Sequence, residues 1–226
     1  MARVSCLLKE RGMSVHTLAL SPSPSEMHIP PSRLCEMSAI VLPLPATRDG
    51  THPCAGKEEG PPSFDDIFAA AKEVPFFGGA VPPVLFDRAK AAGVRLIDYY
   101  LDEELLEKNA YATAEAAVAM AMADLPIVLR GARVGVVGSG RIARALCLLL
   151  TALGAHVTLY ARNPVALASL AGRGACPHLL TKERPLVLDE GLRAVFSTVP
   201  APILDAAALA KLKRGTPIYD LGGGAV

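Results

Sequence analysis

The chain has 226 residues, 51% hydrophobic and 20% charged, which suits one or two folded domains and excludes a disordered chain. A formal net charge of +1 and an aromatic content of 5%, without Trp, give no electrostatic or stacking case for nucleic acid or an anionic membrane surface. The cysteines (Cys6, Cys35, Cys54, Cys147, Cys176) are odd in number and form no CxxC pair, and the histidines show no ligand spacing. Neither a disulfide framework nor a metal site is expected, and reduced cytoplasmic thiols fit best.

In chain order, a helix is expected at about Arg3–Glu10, without the apolar run of a signal peptide. A strand at Val15–Leu20 follows, then a loose segment with Ser21, Pro22, Ser23, Pro24, Pro30 and Pro31. A strand at Ala39–Leu42 leads into a polar loop, Ala46–Ser63. Helix Phe64–Lys72, strand Val74–Phe77, helix Pro82–Ala92 and strand Val94–Tyr99 come next. Asp102 is expected to cap a short helix, and Thr113 a second one running to about Asp124. The second reads AEAAVAMAMA, so it should be buried or lie between domains. Its apolar run is broken by Glu115, Asp124 and Pro126, and the run Ala145–Ala161 by Gly154 and His156, so no membrane span is expected.

Beyond Pro126 and Gly131 comes the sharpest signal. Strand Arg133–Val137 runs into Gly138-Ser139-Gly140-Arg141-Ile142-Ala143, a GxGxxA turn that opens an apolar helix, with a second strand at His156–Ala161. Gly138 permits the tight turn, Gly140 lets a pyrophosphate approach the backbone, and Ala143 lets the helix sit close to the sheet. The N–H groups of Ser139, Arg141 and Ile142 and the helix dipole would face the phosphates. NAD-binding domains usually place an acid at the end of the second strand, where it accepts the ribose 2′-OH. Here that position is Ala161, followed by Arg162 and Asn163. A guanidinium suits a 2′-phosphate that a carboxylate would repel, so NADP is the expected cofactor. Strands at Ala194–Thr198 and Ile218–Leu221 end in Thr198-Val199-Pro200 and Gly222-Gly223-Gly224, turns placed to flank a nicotinamide ring.

Alternating strands and helices give the fold class: α/β, two doubly wound parallel-sheet domains, the second a Rossmann dinucleotide-binding domain. Residues 1–110 form a flavodoxin-like substrate domain, 111–128 an interdomain helix and linker, and 129–226 the NADP-binding domain. A doubly wound domain normally opens with a central strand, whereas this chain begins with a helix and stops just after a strand. Either the chain is a fragment of a longer protein or its first domain has an unusual open sheet; a fragment is the expectation, with unpaired strand edges in the first domain that favour self-association.

The strings IVLPLPATRDG (Ile40–Gly50), VRLIDYY (Val94–Tyr100), NAYATAEAAV (Asn109–Val118), the Gly138 turn with VTLYARN, STVPAPILD (Ser197–Asp205) and YDLGGG resemble the dipicolinate synthase A chain. The resemblance implies NADP-dependent oxidation of dihydrodipicolinate to dipicolinate in the mother cell of a sporulating bacterium. It also implies a flavoprotein-like partner, the dipicolinate synthase B chain. A dicarboxylate substrate calls for donors such as Arg48 and Thr47, with Thr113 and Glu115 at the start of the interdomain helix and Asn109 just before it. Glu115 is the expected proton acceptor. Two other readings stand beside this one. They are another two-domain NADP-dependent dehydrogenase (hydroxy-acid, shikimate-type or methylene-tetrahydrofolate) and a non-catalytic nucleotide-binding assembly subunit.

Overall fold

The computed structural model describes residues 2–18, 27–54 and 61–222. The chain divides into two compact units, Met1–Leu105 and Leu106–Val226.

In the first unit, α1 (Ala2–Glu10) precedes β1 (His16–Thr17), which pairs in parallel with β2 (Met27–His28). The end of the expected strand Val15–Leu20 and residues 21–26 of the loose segment lie outside the described residues. A 3-10 helix, Pro31–Glu36, leads to β3 (Ile40–Val41). α2 (Phe64–Ala70) begins at a capping box: Ser63 Oγ accepts from Asp66 N at 3.2 Å, and Ser63 N donates to the Asp66 carboxylate at 3.3 Å. β4 (Phe76–Gly78), α3 (Pro83–Ala91) and β5 (Leu96–Asp98) complete a parallel three-stranded sheet of order β3-β4-β5. Phe64, Phe68 and Phe76 pack ring against ring in its core, with centroids 5.5 and 5.2 Å apart.

The two helices expected on either side of Thr113 are one. α4 runs unbroken from Glu103 to Asp124. Asp102 caps it as expected, accepting from Leu105 N at 3.1 Å. Thr113 does not start a helix, because nothing between Glu103 and Asp124 stops one: the stretch holds no Gly or Pro and is rich in Ala. The Thr113 hydroxyl instead donates back to the Asn109 carbonyl at 2.8 Å, a bond made inside a continuing helix. One face of α4 is buried through Ala110, Ala114, Ala117, Val118 and Ala121, while Met120 and Met122 on the other are more than half exposed.

The second unit alternates strand and helix. β6 (Arg133–Val137), α5 (Arg141–Ala152), β7 (His156–Ala161), α6 (Pro164–Ala171) and β8 (Cys176–Leu179) are followed by β9 (Ala194–Ser197), α7 (Ala206–Leu209) and β10 (Ile218–Asp220). All pairs are parallel in the order β10-β9-β6-β7-β8, so the strand order reverses beside β6, where open α/β sheets bind their ligands. β6 and β7 keep the bounds their sequences indicate, and the central strands are buried on both faces. α5 packs Ala143, Leu146, Cys147 and Leu150 on the sheet. Truncating Leu146 or Leu150 to Ala would cost about 2–5 kcal/mol. Burial pushes the Cys147 thiol up to about 12. Among the described residues no helix is long and apolar enough to cross a membrane.

Candidate functional site

The β6–α5 turn is shaped by its two glycines in different ways. Gly138 has φ +116°, and a Cβ there would run into the Thr198 hydroxyl. That hydroxyl is fixed, donating to the Val137 carbonyl at 3.0 Å, so Gly138 is needed for the turn itself. Gly140 is different. Its φ is −76°, open to any residue, and a Cβ there would meet nothing within 4 Å. No neighbouring side chain demands a glycine at that position, and the space beside its backbone is open to a ligand.

α5 begins at Gly140 with no side-chain cap, and its first helical bond runs from Arg144 N to Gly140 O at 3.0 Å. The first amides of a helix have no intrahelical partner, and here no side chain caps them. Ile142 packs its side chain against the core, which leaves only its backbone N–H to offer a phosphate. The Arg141 Nε lies 3.9 Å, and the Arg144 Nη2 3.5 Å, from the carboxylate of Glu107 on α4.

A cavity of about 210 Å³ continues from the turn along the ends of β7 and β8. Of the residues expected at a dinucleotide site, Gly138, Ser139, Arg162 and Asn163 line it, together with Ala161, Leu180 and Ile203. Arg162 is exposed at the end of β7. Asn163 caps α6, its side-chain oxygen accepting from Val165 N and Ala166 N at 3.0 and 3.1 Å, so that oxygen is already engaged. Tyr160, also in the lining, is buried, and desolvation raises its phenol above the usual value. Val199 lines the cavity too, whereas Pro200 is exposed. Gly222 closes against the Val199 carbonyl, and Leu221 N donates to Ser197 O at 2.7 Å, so the loops after β9 and β10 run side by side. Gly223 and Gly224 lie outside the described residues. The open face of Gly140, the uncapped helix start and a cavity with a guanidinium at its rim fit a dinucleotide phosphate.

Leu180 and Ile203 were not singled out from sequence. β8 contains Pro177 and is exposed throughout, so it has no apolar period to betray it.

The remaining candidates fall in both units. Asn109, Thr113 and Glu115 lie within α4 of the second, with Asn109 and Glu115 exposed and Thr113 half-buried. Arg48 lies exposed in the first, in the loop after β3. Thr47 is buried, and its hydroxyl donates to His52 O at 2.7 Å and accepts from Gly50 N at 3.0 Å. That hydroxyl holds the loop and is not free for a carboxylate. Asp49 accepts from Thr51 N and His52 N, both at 2.8 Å, and faces His52 Nδ1 at 2.9 Å. These bonds, those of His52 first, hold its carboxyl well below the usual range. Residues 55–60 of the loop lie outside the described residues.

No family model matches the sequence. The dipicolinate synthase A chain of Bacillus subtilis is 25% identical over 188 residues, 82% of this chain and 63% of the relative. This protein is a relative of the dipicolinate synthase A chain. It spans less than two thirds of that curated relative's length. The crystal structure of the dipicolinate synthase A chain from Bacillus subtilis shares the fold, with a TM-score of 0.69 at 19% identity, covering 93% of this chain and 73% of that one. The crystal structure of its counterpart from Bacillus halodurans gives a TM-score of 0.76 at 20% identity, covering 96% and 78%.

Proposed function

We propose that the chain is a subunit of an NADP-dependent oxidoreductase that converts dihydrodipicolinate to dipicolinate in the mother-cell cytoplasm of a sporulating bacterium. The observation that carries the cofactor reading is the open glycine cradle at Gly140, followed at the end of β7 by Ala161 in the acid's position and Arg162 next to it. Kinship with the dipicolinate synthase A chain supports the substrate. That relative is one subunit of a synthase, which supports a partner, and a flavoprotein-like dipicolinate synthase B chain is proposed for it.

When bound, NADP supplies a hydride acceptor. The chain's own part is to hold the pyrophosphate on the first turn of α5 and the 2′-phosphate on Arg162. Aromatising a dihydropyridine also releases a proton, and Glu115 is proposed as its acceptor. Arg48 and the Asn109 carboxamide are proposed as carboxylate donors. Thr113 is a weaker donor than its sequence position implies, since its proton is held by the Asn109 carbonyl.

Cofactor titration of the unmutated protein and of Arg162→Ala tests the reading. NADP(H) should bind more tightly than NAD(H), and the variant should lose about 1–3 kcal/mol of that preference. Equal affinities in the unmutated protein would overturn it. Turnover of dihydrodipicolinate by this chain alone, against turnover only with its partner, separates a catalytic role from one in assembly.

A further inference from the structure

We infer that the turn after β8, Thr181–Arg184, supplies further cations to the 2′-phosphate, so that Lys182 and Arg184 share cofactor selection with Arg162. The inference rests on the NADP reading above. β7 and β8 run in parallel with Ala161 opposite Leu179, and Leu180 N donates to Ala161 O at 2.9 Å. The backbone therefore leaves β8 directly beside Arg162, and Leu180 lines the same cavity as Arg162 and Asn163.

The turn is built rather than loose. Thr181 N donates to Arg184 O at 3.0 Å, and Arg184 N donates to Thr181 Oγ1 at 3.1 Å. The acid within it is engaged locally: a hydrogen bond from the Thr181 hydroxyl is the main reason the Glu183 carboxyl lies below its usual range.

The charge pattern is what points to an anion. Arg133 pairs with Asp189 at 2.9 Å, and Arg141 and Arg144 pair with Glu107. Arg162, Lys182 and Arg184 are exposed and make no ion pair among the described residues. Cations without a carboxylate partner among those residues thus stand where β7 and β8 end. A phosphate monoester carries about −1.5 to −2 charges at pH 7, more than one guanidinium neutralises. The 2′-hydroxyl of an NAD ribose carries none, so the extra cations act on the phosphorylated cofactor alone.

The test uses 2′,5′-ADP and 5′-AMP, which differ only in the 2′-phosphate, titrated against the unmutated chain, Arg162→Ala, Lys182→Gln/Arg184→Gln and Lys182→Arg/Arg184→Lys. The glutamine double variant should lose about fivefold to twentyfold in affinity for 2′,5′-ADP and nothing for 5′-AMP, while the charge-conserving variant keeps both. If the unmutated chain prefers 2′,5′-ADP, loses that preference in Arg162→Ala and keeps it in the glutamine variant, this inference is overturned and the NADP reading stands. An equal loss of both ligands overturns it as well. If the unmutated chain does not distinguish the two ligands, the NADP reading itself has failed.

Discussion

Gly138 and Gly140 stand two residues apart, yet they answer to different constraints. Gly138→Ala places a Cβ at φ +116° against a fixed hydroxyl, so the fold bears the strain, about 1–3 kcal/mol. Urea unfolding should show a lowered midpoint for that variant. Gly140→Val has room in the fold, so its midpoint should hold while the added methyls fill the pyrophosphate's place. A folded Gly140→Val that binds NADP normally would show the turn to be structural only. At this scale much of the candidate site was legible in the sequence, because the glycines, Ala143 and Arg162 sit at fixed offsets from an apolar strand. The engagements of Thr47 and Asp49 were not legible. Their string reads as a ready set of polar side chains, and only the folded loop shows that backbone amides and the His52 carbonyl have already taken them.

Among the elements, α4 is the one whose sequence misleads. Asn109 and Thr113 look like capping residues, but caps matter only where a helix must begin, and the flanking alanines carry the helix through. β8 escapes notice for the opposite reason, having neither burial nor alternation. The far end of α4 is tied down by a bond no local pattern announces: the Tyr219 hydroxyl donates to Asp124 at 3.1 Å across 95 positions, while the ring stacks on Phe196 at 5.0 Å. Burial first, and then that carboxylate, push the Tyr219 phenol from 10.0 up to about 12. The folded state thus holds the proton more firmly than the unfolded chain. The stabilisation is complete below the unfolded value of 10.0 and is lost as pH rises toward 12. Tyr219→Phe should be less stable at neutral pH by about 0.5–1.5 kcal/mol, the net worth of the hydrogen bond. Its stability should also decline less between pH 10 and 12 than that of the unmutated chain. Parallel declines in denaturant titrations across that range would show that folding does not raise the Tyr219 phenol.

At the scale of the whole molecule, the two units have unequal means of resisting opening. Among the described residues, the strands of the first are two or three residues long, in sheets of two and three strands, whereas β6 and β7 have five and six residues in a sheet of five. Native-state hydrogen exchange should find the amides of β1 and β3 less protected than those of β6, β7 and β9. Equal protection would show that the first unit needs no further partner strand. The placement of Cys147 gives that inequality a chemical clock. Its thiol lies under α5, 2% exposed and too weak an acid to react at neutral pH, while Cys6, Cys35 and Cys176 stand on the surface. An alkylating reagent should consume the surface thiols promptly and reach Cys147 only when α5 lifts from the sheet. Since the phosphates are proposed to sit on the first turn of that same helix, NADP should slow this last alkylation by a factor that grows as one plus its concentration over its Kd. A thiol with no part in catalysis would thereby time how firmly the cofactor holds the fold shut.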